Sequence, residues 1–262
     1  KVGKFNFFTN SGYGDNTNIG GAFQENTYKA VDTYDKFYEI RSFDRRRVGS
    51  NINLGVDFNL TKKTKFTFSY VKNYRDGEDI TNNQQNHTLF GADKTRSLRS
   101  EIEEDKDINK QSSFSITHKF DEVGHRLDVT VQTERIVEDE FSDLQTQEFL
   151  PSEKLGFLEE NNTEEDKKQF LAQIDYVWPI DKNTQFEAGY RTTSEKQNTG
   201  FTILNEVASG AMVVNEDLSN FLDYKQTIHA VYSQFGKKWN GFSLLAGLRY
   251  EHTDWTVLQK NT

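Results

Sequence analysis

Hydrophobic and polar residues alternate with a period of two along most of the chain, as in strands whose two faces meet different surroundings. Ile52, Leu54, Val56, Phe58 and Leu60 alternate with Asn51, Asn53, Gly55, Asp57 and Asn59. Phe66, Phe68 and Tyr70 follow, then Phe114, Ile116, His118 and Phe120, then Leu127, Val129 and Val131. Phe170, Ala172, Ile174, Tyr176 and Trp178 continue the pattern, with Phe186, Ala188 and Tyr190 after them. The last two segments carry Ile228, Ala230 and Tyr232, and Phe242, Leu244, Ala246, Leu248 and Tyr250. With a less regular segment at Lys4–Phe7, this predicts about nine strands and no amphipathic helix.

The connections differ in length, and the difference is regular. Tight turns are predicted at Thr61–Thr64, Asp121–Gly124, Asp181–Thr184 and Lys238–Gly241. Long polar stretches separate them: Asn10–Thr33, Asp76–Ser97, Glu138–Asp166 and Glu195–Asp223, read as loops. Consecutive antiparallel strands put alternate connections at opposite ends of a sheet, so one end is trimmed and the other elaborated. Transmembrane β-barrels sort their connections this way, with short periplasmic turns and long extracellular loops. One register stays open. A two-residue turn at Asn240–Gly241 sets Trp239 opposite Phe242 and turns His229, Val231 and Ser233 to the lipid. The alternation favours Ile228, Ala230 and Tyr232 there, which a three-residue turn or a bulge would allow.

Composition fits the barrel. Only 34% of the 262 residues are hydrophobic, yet 13% are aromatic and only two are Pro. Mean hydropathy is −0.82. Disordered chains are poor in aromatics and rich in Pro. A barrel needs apolar residues only on its lipid face, and its strands must donate every ladder N–H within hydrocarbon, which excludes Pro. Aromatics stand beside the tight turns (Phe58, Phe66, Phe120, Trp178, Phe186, Trp239, Phe242) and again further along the strands (Tyr70, Tyr74, Tyr190, Tyr250), as two interfacial girdles require. No apolar run is long enough for a membrane-spanning helix. A net charge of −9 argues against nucleic acid as a partner, and the lack of Cys removes disulfides and thiol chemistry.

No catalytic, cofactor or metal constellation is found. The five His (His87, His118, His125, His229, His252) lack ligand spacing. Asp128, Asp175, Glu187, Arg191, Arg249 and Glu251 are candidate lumen-facing residues, with Glu187–Arg191 and Arg249–Glu251 as same-face neighbours. Acidic clusters at Glu101–Asp107, Glu138–Glu140 and Glu159–Asp166 read as a solvated rim. The alternative is a divalent-cation site, in the loops or bridging to lipopolysaccharide phosphates.

The segment FSLLAGLRYEHT (Phe242–Thr253) resembles a strand pattern of TonB-dependent outer-membrane transporters, and FEAGYRTT (Phe186–Thr193) resembles it in a neighbouring hairpin. The turns DEVGH and DKNT fit as well. The whole chain resembles the outer-membrane β-barrel family of Bacteroidota. The resemblance implies an all-β, antiparallel up-and-down barrel of 22 strands, the size of plugged transporters. At about 60 residues per hairpin such a barrel needs roughly 660 residues. Residues 1–262 are therefore expected to be a partial barrel domain starting mid-protein, without signal peptide, plug or coupling box. The resemblance also implies a bacterial outer-membrane location, lipid and lipopolysaccharide as surroundings, and a plug domain, TonB and a small nutrient as partners. A non-transport barrel or scaffold component, and a soluble secreted β-sandwich binding module, are the alternatives.

Overall fold

The computed structural model describes residues 3–28 and 35–261. The end of the expected loop Asn10–Thr33 and the chain's first two residues lie outside them. Nine long strands follow one another in an antiparallel meander: β1 (Phe5–Thr27), β2 (Lys36–Asn59), β3 (Thr64–Leu89), β4 (Ala92–Lys119), β5 (Arg126–Leu150), β7 (Glu159–Asp181), β8 (Thr184–Glu206), β10 (Asn220–Trp239) and β11 (Phe242–Asn261). Two short strands, β6 (Lys154–Leu155) and β9 (Met212–Val214), add to the outer parts of β5 and β8. All belong to one sheet, with β1 and β11 at its two edges.

The tight turns form where expected, each for a local reason. Thr61 Oγ1 accepts the Lys63 and Thr64 amides at 3.1 and 2.9 Å. Asp121 Oδ1 accepts the amides of Val123, Gly124 and His125 at 2.9, 3.2 and 3.0 Å. Those three N–H groups favour the charged carboxylate and hold the Asp121 pKa below its usual value, the His125 amide contributing most. Asp181 Oδ1 takes the Asn183 amide at 2.7 Å.

Asn240–Gly241 is a two-residue turn, with Gly241 at φ +79° and Trp239 paired to Phe242. No bulge intervenes in the β10–β11 register. Val231, Ser233 and Phe235 therefore share the aromatic face with Tyr190, Leu248 and Tyr250, and Ile228, Ala230 and Tyr232 turn to the other face. This corrects the alternation-based expectation for β10: a two-residue turn leaves no freedom of parity, however apolar the residues on the wrong side.

The long polar stretches are mostly strand, not loop. Asp76–Leu89 and Ala92–Ser97 are strand throughout, with one register shift at Lys94, and are joined only by Phe90–Gly91, both at positive φ (51° and 78°). The hydrophobic alternation stops there because both faces meet water, but the backbone ladder does not need it. Strands of 23 to 28 residues (β3 to β5, β7 and β8) run on the order of 80 Å, against a lipid band of about 25 Å.

One face carries continuous apolar rows across neighbouring strands. Phe66, Ile116, Val129, Ile174, Tyr190, Val231 and Tyr250 are successive partners, as are Phe68, Phe114, Val131 and Ala172. Phe5, Phe58, Phe66 and Phe114 stack at centroid spacings of 4.8, 6.2 and 6.1 Å. This face remains uncovered: Phe68 is 47% exposed, Val231 56% and Leu248 84%. Among the described residues, strands touch only their ladder neighbours, so no second layer covers the apolar face. A sandwich needs that layer. The only buried apolar side chains among the described residues are Leu144, Ile203 and Ala230. Both Pro fall outside the middle of the apolar band, Pro151 between β5 and β6 and Pro179 beside the irregular β7–β8 pairing near Asp181.

Candidate functional site

All six candidates, Asp128, Asp175, Glu187, Arg191, Arg249 and Glu251, share the face opposite the apolar rows. Asp128 and Asp175 are direct partners across β5 and β7, and each is satisfied separately. Asp128 accepts Thr117 Oγ1 at 2.8 Å and Arg126 Nε at 2.9 Å. Asp175 accepts Gln173 Nε2 at 2.7 Å and the Tyr232 hydroxyl. Arg249 donates from Nε to Glu251 Oε1 at 2.6 Å, and its guanidinium lies 5.4 Å from the Tyr232 ring centroid. The same-face neighbours Arg249 and Glu251 thus form an ion pair.

Glu187 and Arg191 do not pair. Gly189 stands between them, and the Tyr232 ring lies over it, 2.3 Å from where a Cβ would sit. Glu187 takes Gln185 Nε2 instead. Arg191 borders a polar depression of about 290 Å³ with Gln132, Glu134, Gln169, Glu195 and Gln226. Tyr232 thus links Asp175, Gln173 and Arg249, a role hidden by its apolar assignment from the sequence; the Asn240–Gly241 turn held the missing signal.

A second set stands further out, on the same face of the hairpin extensions. Asp79 and Asp105 are buried, at 8% and 7% exposure. Arg47 reaches both: it donates to Asp79 and lies 3.4 Å from Asp105. Arg45 adds to Asp79 at 3.3 Å, and Arg75 to Asp105 at 3.3 Å and to Asp107. Gly77 makes room for this cluster, since a Cβ there would fall 2.0 Å from Asp105 Oδ1. Sequence parity carried from Asp57 and Thr67 along β2 and β3 places these residues together once the strands are known to continue. The neighbouring carboxylates outnumber the arginines. Burial first, then Glu140 and Asp79, pushes the Glu103 pKa up; burial first, then Asp107 and Glu165, does the same for Glu138. Among the described residues no three carboxylate or imidazole groups are placed to hold a metal ion by themselves.

The sign of these two shifts sets a pH response. A carboxyl whose pKa is raised on folding binds its proton more tightly in the native state, so its penalty is present at neutral pH and relieved as pH falls. Amide exchange in the β4–β5 extension, corrected for intrinsic rate, is expected to slow as the pH falls from neutral toward the ordinary carboxylate range. Exchange that accelerates over this window would show that the Glu103 and Glu138 shifts do not govern the rim.

The described residues thus form a one-layer sheet, apolar on one side and charged on the other, with every tight turn except Phe90–Gly91 at one end. A family model described as "Outer membrane protein beta-barrel family" matches residues 118–262, more than half of the chain. The chain belongs to this family. The outer-membrane barrel family places the protein in the bacterial outer membrane, with the aromatic rows as its lipid face. No curated protein matches the sequence. Among solved structures, the ferric yersiniabactin uptake receptor FyuA from Yersinia pestis aligns over 93% of this barrel chain at 8% identity and a TM-score of 0.28. That likeness is too weak to bear on function. The chain spans about half of that receptor, 54% of its length.

Proposed function

We propose that this chain is part of the barrel of a TonB-dependent outer-membrane receptor that takes up a scarce nutrient. The supporting observation is the charged face. Asp128, Asp175, Glu187, Arg191, Arg249 and Glu251 form hydrogen-bonded and solvent-open groups along it, rather than a packed filling. A wall of this kind suits a wide bore. Barrels of about eight strands fill their interior with side chains, whereas those of about 22 hold a plug. The nine long strands leave β1 and β11 unpaired on one side within the described residues, so closure needs further strands. On this reading the outer hairpins receive the ligand, the polar wall meets the plug, and coupling to the inner membrane opens the path.

The test is uptake by cells lacking the intact gene product, grown with iron chelates, glycans, peptides or cobalamin as the limiting nutrient. Loss of uptake for one class, and its abolition in complemented cells by a proton uncoupler, is expected. Unchanged uptake of every class, with an envelope-assembly defect in its place, would instead favour a scaffold barrel.

A further inference from the structure

On the lipid-facing side, just beyond the apolar band at the long-hairpin end, six cations stand in one cross-strand row. Lys72 pairs with Lys110, Lys110 with Arg135, Arg135 with Lys168, Lys168 with Lys196, and Lys196 with Lys225. Each is exposed. The row crosses β3, β4, β5, β7, β8 and β10 without an intervening acid, over roughly 24 Å at the usual strand spacing.

Directly opposed like charges on one sheet face destabilise it unless something neutralises them. Internal neutralisation is partial. Asp166 serves both Arg135 and Lys168, at 3.0 and 3.3 Å, and Asp223 lies 3.6 Å from Lys225. Both acids stand one step further from the membrane in the ladder. Among the described residues Lys72, Lys110 and Lys196 have no carboxylate partner.

The next row inward, Tyr70, Ser112, Thr133, Phe170, Ser194 and Thr227, is uncharged, and the apolar rows follow. The ladder runs perpendicular to tilted strands, so the row climbs. Lys72 adjoins Tyr70 at the edge of the band, whereas Thr227 and His229 separate Lys225 from Val231 on β10. Anions matching such a row must sit at the hydrocarbon boundary and at more than one depth above it.

We infer that the Lys72–Lys225 row binds the phosphates of an outer-leaflet glycolipid, with Lys72, Lys110 and Lys196 as the principal contacts. Lysine suits this position, because its stem lies along apolar surface while its ammonium reaches the headgroup level. The inference rests on the outer-membrane placement and is independent of the uptake reading.

The test uses the intact protein in neutral detergent, offered phosphorylated lipid A, its dephosphorylated counterpart, or inorganic phosphate alone, with retained lipid counted by native mass spectrometry. The wild type is expected to favour the phosphorylated lipid at least about tenfold, and K72Q/K110Q/K196Q to lose about tenfold of that retention while holding the dephosphorylated lipid unchanged. Arginine at the same three positions is expected to retain the phosphorylated lipid. Rising salt is expected to weaken the preference. Equal retention by the triple Gln variant, or equal retention of both lipids by the wild type, overturns the inference. Inorganic phosphate binding as tightly as the lipid overturns it too, since the row would then be a soluble-anion site.

Discussion

Val129→Arg is expected to destabilise the barrel by about 2–4 kcal/mol, the range measured for a cation placed at mid-depth on a barrel's lipid face. Val129 lies between Ile116 and Ile174 in the ladder, midway along the apolar part of β5 between Leu127 and Val131. An arginine there has only acyl chains and neighbouring side chains around it, and its stem is too short to reach either interface without distorting the strand. Thr130→Arg, one residue further, points the same group to the other face. There it meets Ser115 and Gln173 as ladder partners, with Asp128 and Asp175 close by, and the change should stay within about 0.5 kcal/mol. Reversible unfolding of the intact protein from lipid vesicles gives both values. Equal costs at 129 and 130 would mean that the two faces of β5 do not separate lipid from water, and the fold-to-function reading would lose its footing.

That pair of substitutions probes the part of the molecule most legible in the sequence. Leu127, Val129 and Val131 against Asp128, Thr130 and Gln132 is a two-environment signal, and wherever lipid lies on one side the alternation marks strand, face and approximate register together. The signal weakens where the environments become alike. Beyond Tyr74 and Ile108 both faces are wet, so β3 and β4 continue to Leu89 and back from Ala92 with no hydrophobic period to reveal them. The Arg47–Asp79–Asp105 cluster was hidden for this reason: Asp79 fell in a stretch read as loop, Asp105 in one read as a solvated acidic rim, and Arg47 ahead of the first clear alternation. Tyr232 was hidden by a different competition. Three apolar residues at 228, 230 and 232 outweigh His229, Val231 and Ser233 in any count of hydrophobicity, yet the two-residue turn at Asn240–Gly241 decides the face. Turn geometry is rigid, whereas the polar face tolerates an alanine, an isoleucine and a tyrosine, particularly when the tyrosine hydroxyl has a carboxylate to meet.

Replacing Arg47 with Met should loosen the β2–β3–β4 extension by about 2–3 kcal/mol, less than the loss of a fully buried ion-pair partner because the Arg47 side chain is itself 34% exposed. Among the described residues Arg47 is the one cation that contacts both buried acids, and without it each keeps a single guanidinium there: Arg45 for Asp79, Arg75 for Asp105. Glu103 and Glu140 add negative potential around the same point, so the residual charge is poorly compensated. The cost arises from the acids left behind and not from the guanidinium removed, which gives a sharp internal control. Adding D79N and D105N to R47M should recover most of the lost stability, because two neutral amides tolerate the site far better than two unpaired carboxylates. Native-state amide exchange along Arg45–Val48, Arg75–Asp79 and Glu103–Asp107 reads the local free energy directly, apart from the membrane-embedded strands, which should not respond. If the triple variant is as loose as R47M alone, the aliphatic packing of the arginine stem, and not the balance of charge, holds these hairpins upright.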